Sequence, residues 1–315
     1  MMFSNPFIYF CKRLMKLILK LPMKKLYTKF YYIVIPCVLF GVLSCKNPVD
    51  KFTSPKGYDL KKPDKFNMPS SLLEISGIAF HNNNSDTIYS IQDENGKLYK
   101  QKWDVKKQIN TKFSPNGDFE DLTILKNNIF VLRSDGVFFS FPITESGKKE
   151  TKNVHEIKGL LPKGEYESIY ADNEKNQIYV LCKSCPGDKK TKMVSGYIFD
   201  YIAASDSLVS SGEFKVNLQG IEAVNPKVKT NLSPSAMTRN PRTNEWYILS
   251  SANKLLIITD SKWNITEAHR LNSSTFNQPE GLAFDTDFNL YIANEGDEIT
   301  DGNIIKFKYV PAQSK

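Results

Sequence analysis

Three glutamates, Glu120, Glu167 and Glu280, hold the same place in three copies of one short pattern: DFEDLTI from Asp118, EYESIYA from Glu165 and QPEGLAF from Gln278. In two further copies, EISGIAF from Glu74 and SPSAMTR from Ser233, that place belongs to the hydroxyl residues Ser76 and Ser235. Two positions earlier stand Glu74, Asp118, Glu165, Ser233 and Gln278. If the copies fold alike around one axis, several carboxylates enter one narrow space, where they repel one another and lose hydration. Either some of them are then protonated or a cation sits among them. An oxygen donor set without His or Cys suits Ca²⁺ better than zinc. Calcium is therefore the expected cofactor, with Glu120, Glu167, Glu280, Ser76 and Ser235 as its ligands. The competing reading is that these glutamates accept backbone N–H bonds at the starts of strands and hold no ion.

The elements that must position these residues are strands. Each pattern is followed, after a turn, by a β-rich partner: TIYSIQD, NIFVLRS, QIYVLCK, WYILSSA or LYIANEG. A third run often follows, as in VFFSF, LLIITD and IIKFKY. Enrichment in Ile, Val, Tyr and Phe with period-2 alternation marks them as strands. From Ser76 to Glu120, Glu167, Ser235 and Glu280 the steps are 44, 47, 68 and 45 residues. A four-stranded propeller blade takes about 40–45 residues. The long step has too few extra residues for another blade and predicts a long outer strand and loop across Leu208 to Asn231. After Glu280 the chain has room for three strands, so the fourth is expected from Tyr58–Met68, which closes the ring and removes its exposed edges. The expected fold is an all-β, five-bladed propeller of four-stranded antiparallel blades. Asp93, Arg133, Lys183 and Glu295 end the second strands and could rim the channel mouth to receive a ligand, or be solvated loop charges.

The formal charge of +8 does not point to nucleic acid. Lys12, Arg13, Lys16, Lys20, Lys24, Lys25 and Lys29 lie within residues 1–44, which hold no acid, so the remaining chain carries only +1. A nearly neutral body has no footprint for a phosphate backbone. The basic segment leads into FYYIVIPCVLFGVLSC, an apolar run shorter than the ~20 residues of a membrane span and interrupted by Pro36. Charge, apolar run and small residue form a secretory signal over 1–44, and Met23 reads as a truer start than Met1. Val42-Leu43-Ser44-Cys45 resembles the bacterial lipobox, in which the cysteine is acylated and becomes the mature N-terminus. Residues 45–70, with four prolines, read as a polar tether, and 71–310 as the propeller. The expected place is the bacterial envelope, with the protein held to the membrane by lipid on Cys45 and facing the periplasm or the exterior.

Together the lipobox, EISGIAF, DFEDLTI, EYESIYA, PSAM and QPEGLAF…NLYIANEG resemble the SdiA-regulated family, similar to NHL-repeat and TolB-type propellers, over roughly Leu72 to Tyr309. The resemblance implies a five-bladed propeller with a calcium site and carries no established biochemical role. The fourth repeat departs from it, with Ser-Pro-Ser where others carry an acid, and CKSC is an addition.

The remaining motifs favour plain readings. Asp285-x-Asp287-x-Asn289 begins like an EF-hand loop but has Leu290 at position 6 and Gly296 at position 12, so a hairpin turn is expected. Cys182-Lys183-Ser184-Cys185 has no second pair, which favours a small disulfide or two free thiols over redox chemistry. His81, His155 and His269 fall in or near expected turns or loops, away from any serine or acid motif. There is neither a G-x-S-x-G elbow nor H-E-x-x-H, so no catalytic residue is assigned. Three functions remain: a calcium-binding propeller that recognises a ligand or partner at the envelope, a metal-dependent hydrolase of the lactonase or esterase kind, and a purely structural envelope protein.

Overall fold

The computed structural model describes residues 52–311. The signal segment, Met23 and Cys45 lie outside the described residues.

Twenty strands form five four-stranded antiparallel sheets. The first strand, β1 (Asp64–Asn67), belongs to the last sheet. Blade one is β2 (Ile75–Ala79), β3 (Ile88–Gln92), β4 (Lys97–Gln101) and β5 (Ile109–Lys112). Blade two is β6 (Phe119–Leu125), β7 (Asn128–Arg133), β8 (Phe138–Pro142) and β9 (His155–Ile157). Blade three comprises β10 (Glu165–Asp172), β11 (Gln177–Ser184), β12 (Met193–Ile202) and β13 (Ser207–Asn217), with a short helix α1 (Asp188–Thr191) between its middle strands. After helix α2 (Gln219–Val224), blade four is β14 (Ala236–Arg239), β15 (Trp246–Ser250), β16 (Leu255–Thr259) and β17 (Ile265–Arg270). Blade five is β18 (Gln278–Phe284), β19 (Leu290–Glu295), β20 (Asn303–Phe307) and β1.

The ring closes where the sequence placed it. Asp64, Lys65, Phe66 and Asn67 pair with Lys306, Ile305, Ile304 and Asn303. Ahead of β1, Tyr58 is buried among Tyr247, Phe284 and Tyr309 and donates its hydroxyl to the Phe288 carbonyl at 2.7 Å. The long step between the third and fourth repeats holds β13, eleven residues long, followed by α2 and a loop.

The first strand of each blade lies innermost, and these strands pack in sequence, β2 on β6, β6 on β10, β10 on β14, β14 on β18 and β18 back on β2. Between neighbouring blades lie apolar clusters, for example Phe119, Phe139 and Phe113 between blades one and two. An innermost strand has an unpaired edge toward the channel, and buried N–H groups there need acceptors. On β6, Asp121 and Thr123 supply them: their side chains accept the N–H of Ile169 at 3.0 Å and of Ala171 at 2.9 Å on β10. Glycine permits the closest approaches. A Cβ on Gly77 would lie 2.6 Å from Asp121 Oδ1, and one on Gly281 would lie 2.9 Å from the Ser76 carbonyl.

The turn at Asp285 is a hairpin, as expected. Its buried carboxylate accepts the N–H groups of Asp287 and Asn289, the Asn289 amide and the Tyr291 hydroxyl at 2.8–3.0 Å. Cys182 and Cys185 form a disulfide. His269 corrects the sequence reading: it lies on β17, almost fully buried, between Glu267 at 2.8 Å and the Thr53 hydroxyl at 2.7 Å. Alternation along a strand puts residues i and i+2 on one face, which is why Glu267 reaches it. Among the described residues no helix is long and apolar enough to cross a membrane.

Candidate functional site

Four of the five equivalent positions share one backbone device. On β6, Phe119 pairs with Arg133 and Asp121 with Leu132, so Glu120 is left without a partner. On β18, Pro279 pairs with Asn294 and Gly281 with Ala293, which skips Glu280. On β10, Tyr166 pairs with Cys182 and Ser168 with Leu181, which skips Glu167. In blade one Ile75 faces Gln92 and Ile78 faces Ser90, leaving Ser76 and Gly77 opposite Ile91. In blade four both Ser235, through its N–H at 2.8 Å, and Ala236 oppose Leu249. The slots of blades one, two, three and five are therefore β-bulges, whose extra residue bends the strand and re-aims a side chain, while Ser235 stands just ahead of β14. Pro234 and Pro279 stand immediately before two of these residues and bring no N–H to the ladder.

These bulges lie where innermost strands begin and second strands end, and together they form the channel mouth. Glu167 and Ser235 are buried, Glu120 and Glu280 half-buried. Burial is the main reason that Glu120, Glu280, Glu295, Asp93 and Glu167 hold their protons strongly. Glu120 is pushed up to about 9, with the charges of Glu167 and Asp118 adding to burial. Glu280 rises to about 8, helped by Glu295 and Glu167. Glu295 reaches about 7, with Gln278 hydrogen-bonding to it and opposing the rise. Asp93 reaches about 6, burial and Glu74 acting together. Glu167 rises to about 7 by burial, against the opposing pull of Lys183. The Lys183 ammonium bonds directly to Glu167 and lies 3.3 Å from Glu165.

Beside the mouth, a cavity of about 280 Å³ is lined by Glu167, Lys183, Ser235, Ser251, Lys254 and Glu280 among others. The Ser235 hydroxyl donates to the Pro279 carbonyl at 2.8 Å and accepts the Ser251 N–H at 3.2 Å, which braces the Glu280 bulge from the next blade. The Ser76 hydroxyl reaches the Glu74 carbonyl at 3.4 Å.

Of the expected rim residues, Asp93, Lys183 and Glu295 interact with the acidic cluster. Arg133 is held mainly elsewhere: its guanidinium forms two bonds to Asp135, at 2.8 and 2.9 Å, and lies over the Phe139 ring, with Asp118 adding only a charge interaction. Sequence reasoning missed Ser251, which hydrogen-bonds Glu280, and Lys254, whose ammonium donates to the Asn277 carbonyl near Glu280 and Glu295. Aligning the ends of the second strands, as was done for the starts of the first, brings SSANK into this set.

The donors are hard oxygens, the chemistry that calcium takes. The carboxylates nevertheless stand apart around the mouth. Among the described residues the only trio of metal-type donors within 4.8 Å of one another is Cys182, Cys185 and Asp188, and the two sulfurs are joined to each other. Holding one ion between the glutamates thus requires their side chains to swing inward from the bulges.

Among the solved structures similar to this chain is the crystal structure of a nidogen/laminin complex. It is 9% identical, with a TM-score of 0.43, over 70% of this chain and 72% of that one. No curated protein matches. The SdiA-regulated family matches over residues 64–298, from the closing strand through the loop after β19. With most of its length covered by that match, and the bulged starts of its innermost strands all inside it, the chain belongs to the SdiA-regulated family.

Proposed function

We propose that this protein is a lipid-anchored, extracytoplasmic binding propeller that takes a divalent cation, calcium, in its channel mouth and meets a ligand or partner of the bacterial envelope there. The observation that carries the reading is the set of bulges that deliver Glu120, Glu167 and Glu280 into one half-buried space already crowded by Asp93, Glu74 and Glu295. Carboxylates kept protonated by burial and by one another are a poor resting arrangement at neutral pH, and a dication relieves both causes. Glu120, Glu167 and Glu280 would hold it, with Ser76 and water adding oxygens and Ser235 keeping the Glu280 bulge in place. The cation's role would be to neutralise and draw together the mouth, so that a partner meets a rigid rim. A hydrolase reading would rest on the same carboxylates and would also need a base beside the reacting oxygen.

The test is calcium titration by calorimetry and by thermal melting. Binding to the folded state alone raises stability by roughly 2.7 kcal/mol at a hundredfold excess over Kd. The expected result is a higher Tm with calcium than with chelator, and loss of most of that difference in Glu120→Gln and Glu280→Gln. Identical melting of the natural chain with calcium and with chelator would falsify the calcium assignment and leave the glutamates as strand-start acceptors.

A further inference from the structure

The facing strands β10 and β11 carry a feature that no other blade shows. Glu165 pairs with Ser184, Tyr166 with Cys182 and Ser168 with Leu181, so Lys183 drops out of the ladder on one side of the Tyr166–Cys182 pair and Glu167 on the other. Two extra residues of opposite charge thus flank a single pair, and their side chains meet. The turn that carries Lys183 is closed by the Cys182–Cys185 disulfide, with Cα atoms 6.0 Å apart. Cys185 in turn lies 3.8 Å from the Tyr166 hydroxyl. Lys254, the other lysine at the mouth, has no acid within 4.0 Å among the described residues and spends its ammonium on a carbonyl. Among the described residues Lys183 is the lysine of the mouth in direct contact with its acids.

We infer that Lys183 is a built-in competitor at the mouth: its ammonium holds Glu167 and Glu165 in the empty state, and an external cation must displace it to use Glu167. This rests on the cation reading proposed above. A tethered ammonium acts at a high effective concentration, so it lowers the affinity of the mouth without preventing binding. It carries one charge against the two of calcium, and its four-carbon stem lets it swing aside without moving the strand. The carboxylates that feel its charge from neighbouring elements are Glu120 and Glu280, so a dication that displaces it must neutralise these as well as Glu167. The arrangement sets a threshold: the site fills when free dication is plentiful and stays closed on its own lysine when it is scarce.

The experiment compares calcium titrations of the natural chain, Lys183→Met and Lys183→Arg, each as the full chain in detergent, with the Tm in chelator recorded as a check of folding. Lys183→Met is expected to bind calcium about tenfold more tightly, from removal of one charge held at contact distance, and Lys183→Arg to stay near the natural affinity. As a direct readout, acetylation of Lys183 followed by mass spectrometry should be slow in chelator and faster with saturating calcium. Equal affinities of the natural chain and Lys183→Met overturn the inference while the cation reading stands. Binding seen only in Lys183→Met supports it strongly. No binding by any of the three overturns the cation reading and this inference with it.

Discussion

Glu120, Glu167, Glu280, Glu295 and Asp93 share one physical condition, burial beside like charges, and it sets the pH behaviour of the empty protein. Each has a folded-state pKa above its unfolded value, so between those two values the folded chain binds more protons than the unfolded chain. Stability then falls as pH rises. The penalty is absent below the ordinary carboxylate range, grows through the window from about 5 to about 9, and is complete above the value of about 9 for Glu120. In chelator, Tm is expected to fall by roughly 5 °C from pH 5 to pH 9, with calcium flattening the slope. A melting temperature that rises over that range would show that the mouth acids are ionised at little cost. Removing one of them tests the coupling: Glu120→Gln should shrink the pH slope and leave the protein at least as stable at pH 9.

At the scale of elements, the innermost strands hold one another through side chains as well as apolar packing. Asp121 is the clearest case. It is buried, which keeps its proton affinity high, and its two oxygens accept the N–H groups of Leu122 and of Ile169 on the next blade. Removing the acceptor strands two buried donors, each costing ~1–3 kcal/mol. Asp121→Ala is therefore expected to destabilise the propeller by about 2–4 kcal/mol in urea unfolding, whereas Asp118→Ala, at the rim, should cost far less. Equal effects of the two substitutions would mean that the contact between β6 and β10 is not what Asp121 supplies. The same logic explains Gly77 and Gly281, where neighbouring backbones come too close for a side chain.

For the whole molecule, the family match and the ring of blades describe a scaffold, and scaffolds of this kind host unrelated activities. The proposed membrane anchor belongs to the segment ahead of it. We expect Cys45 to be the acylated N-terminus, because Val42-Leu43-Ser44 precedes it at the end of the apolar run. Cys45→Ala should move the protein from the membrane to the soluble fraction or leave it unprocessed. An unmodified Cys45 by intact-mass measurement of the membrane-derived protein would refute the anchor. Because two acyl chains suffice for stable attachment, a single substitution is enough to read the effect.

The sequence by itself determined the number of blades, the order of their strands and the segment that closes the ring. Those properties repeat at a steady period and depend on local alternation, which five copies make legible together. It also aligned Ser76, Glu120, Glu167, Ser235 and Glu280 as one slot. What it could not specify is where those side chains go, since skipping one residue in a ladder turns a strand face over. The bulges that decide this arise from pairing with a second strand and from close approach of a third. Ion-pair partners were equally out of reach. Lys183 finds Glu167 through two successive bulges on either side of one pair, while Arg133, from the corresponding end of another blade, turns to Asp135 two residues away. His269 meets Thr53 across more than two hundred residues, a contact that exists only because the chain ahead of β1 packs on the closed ring.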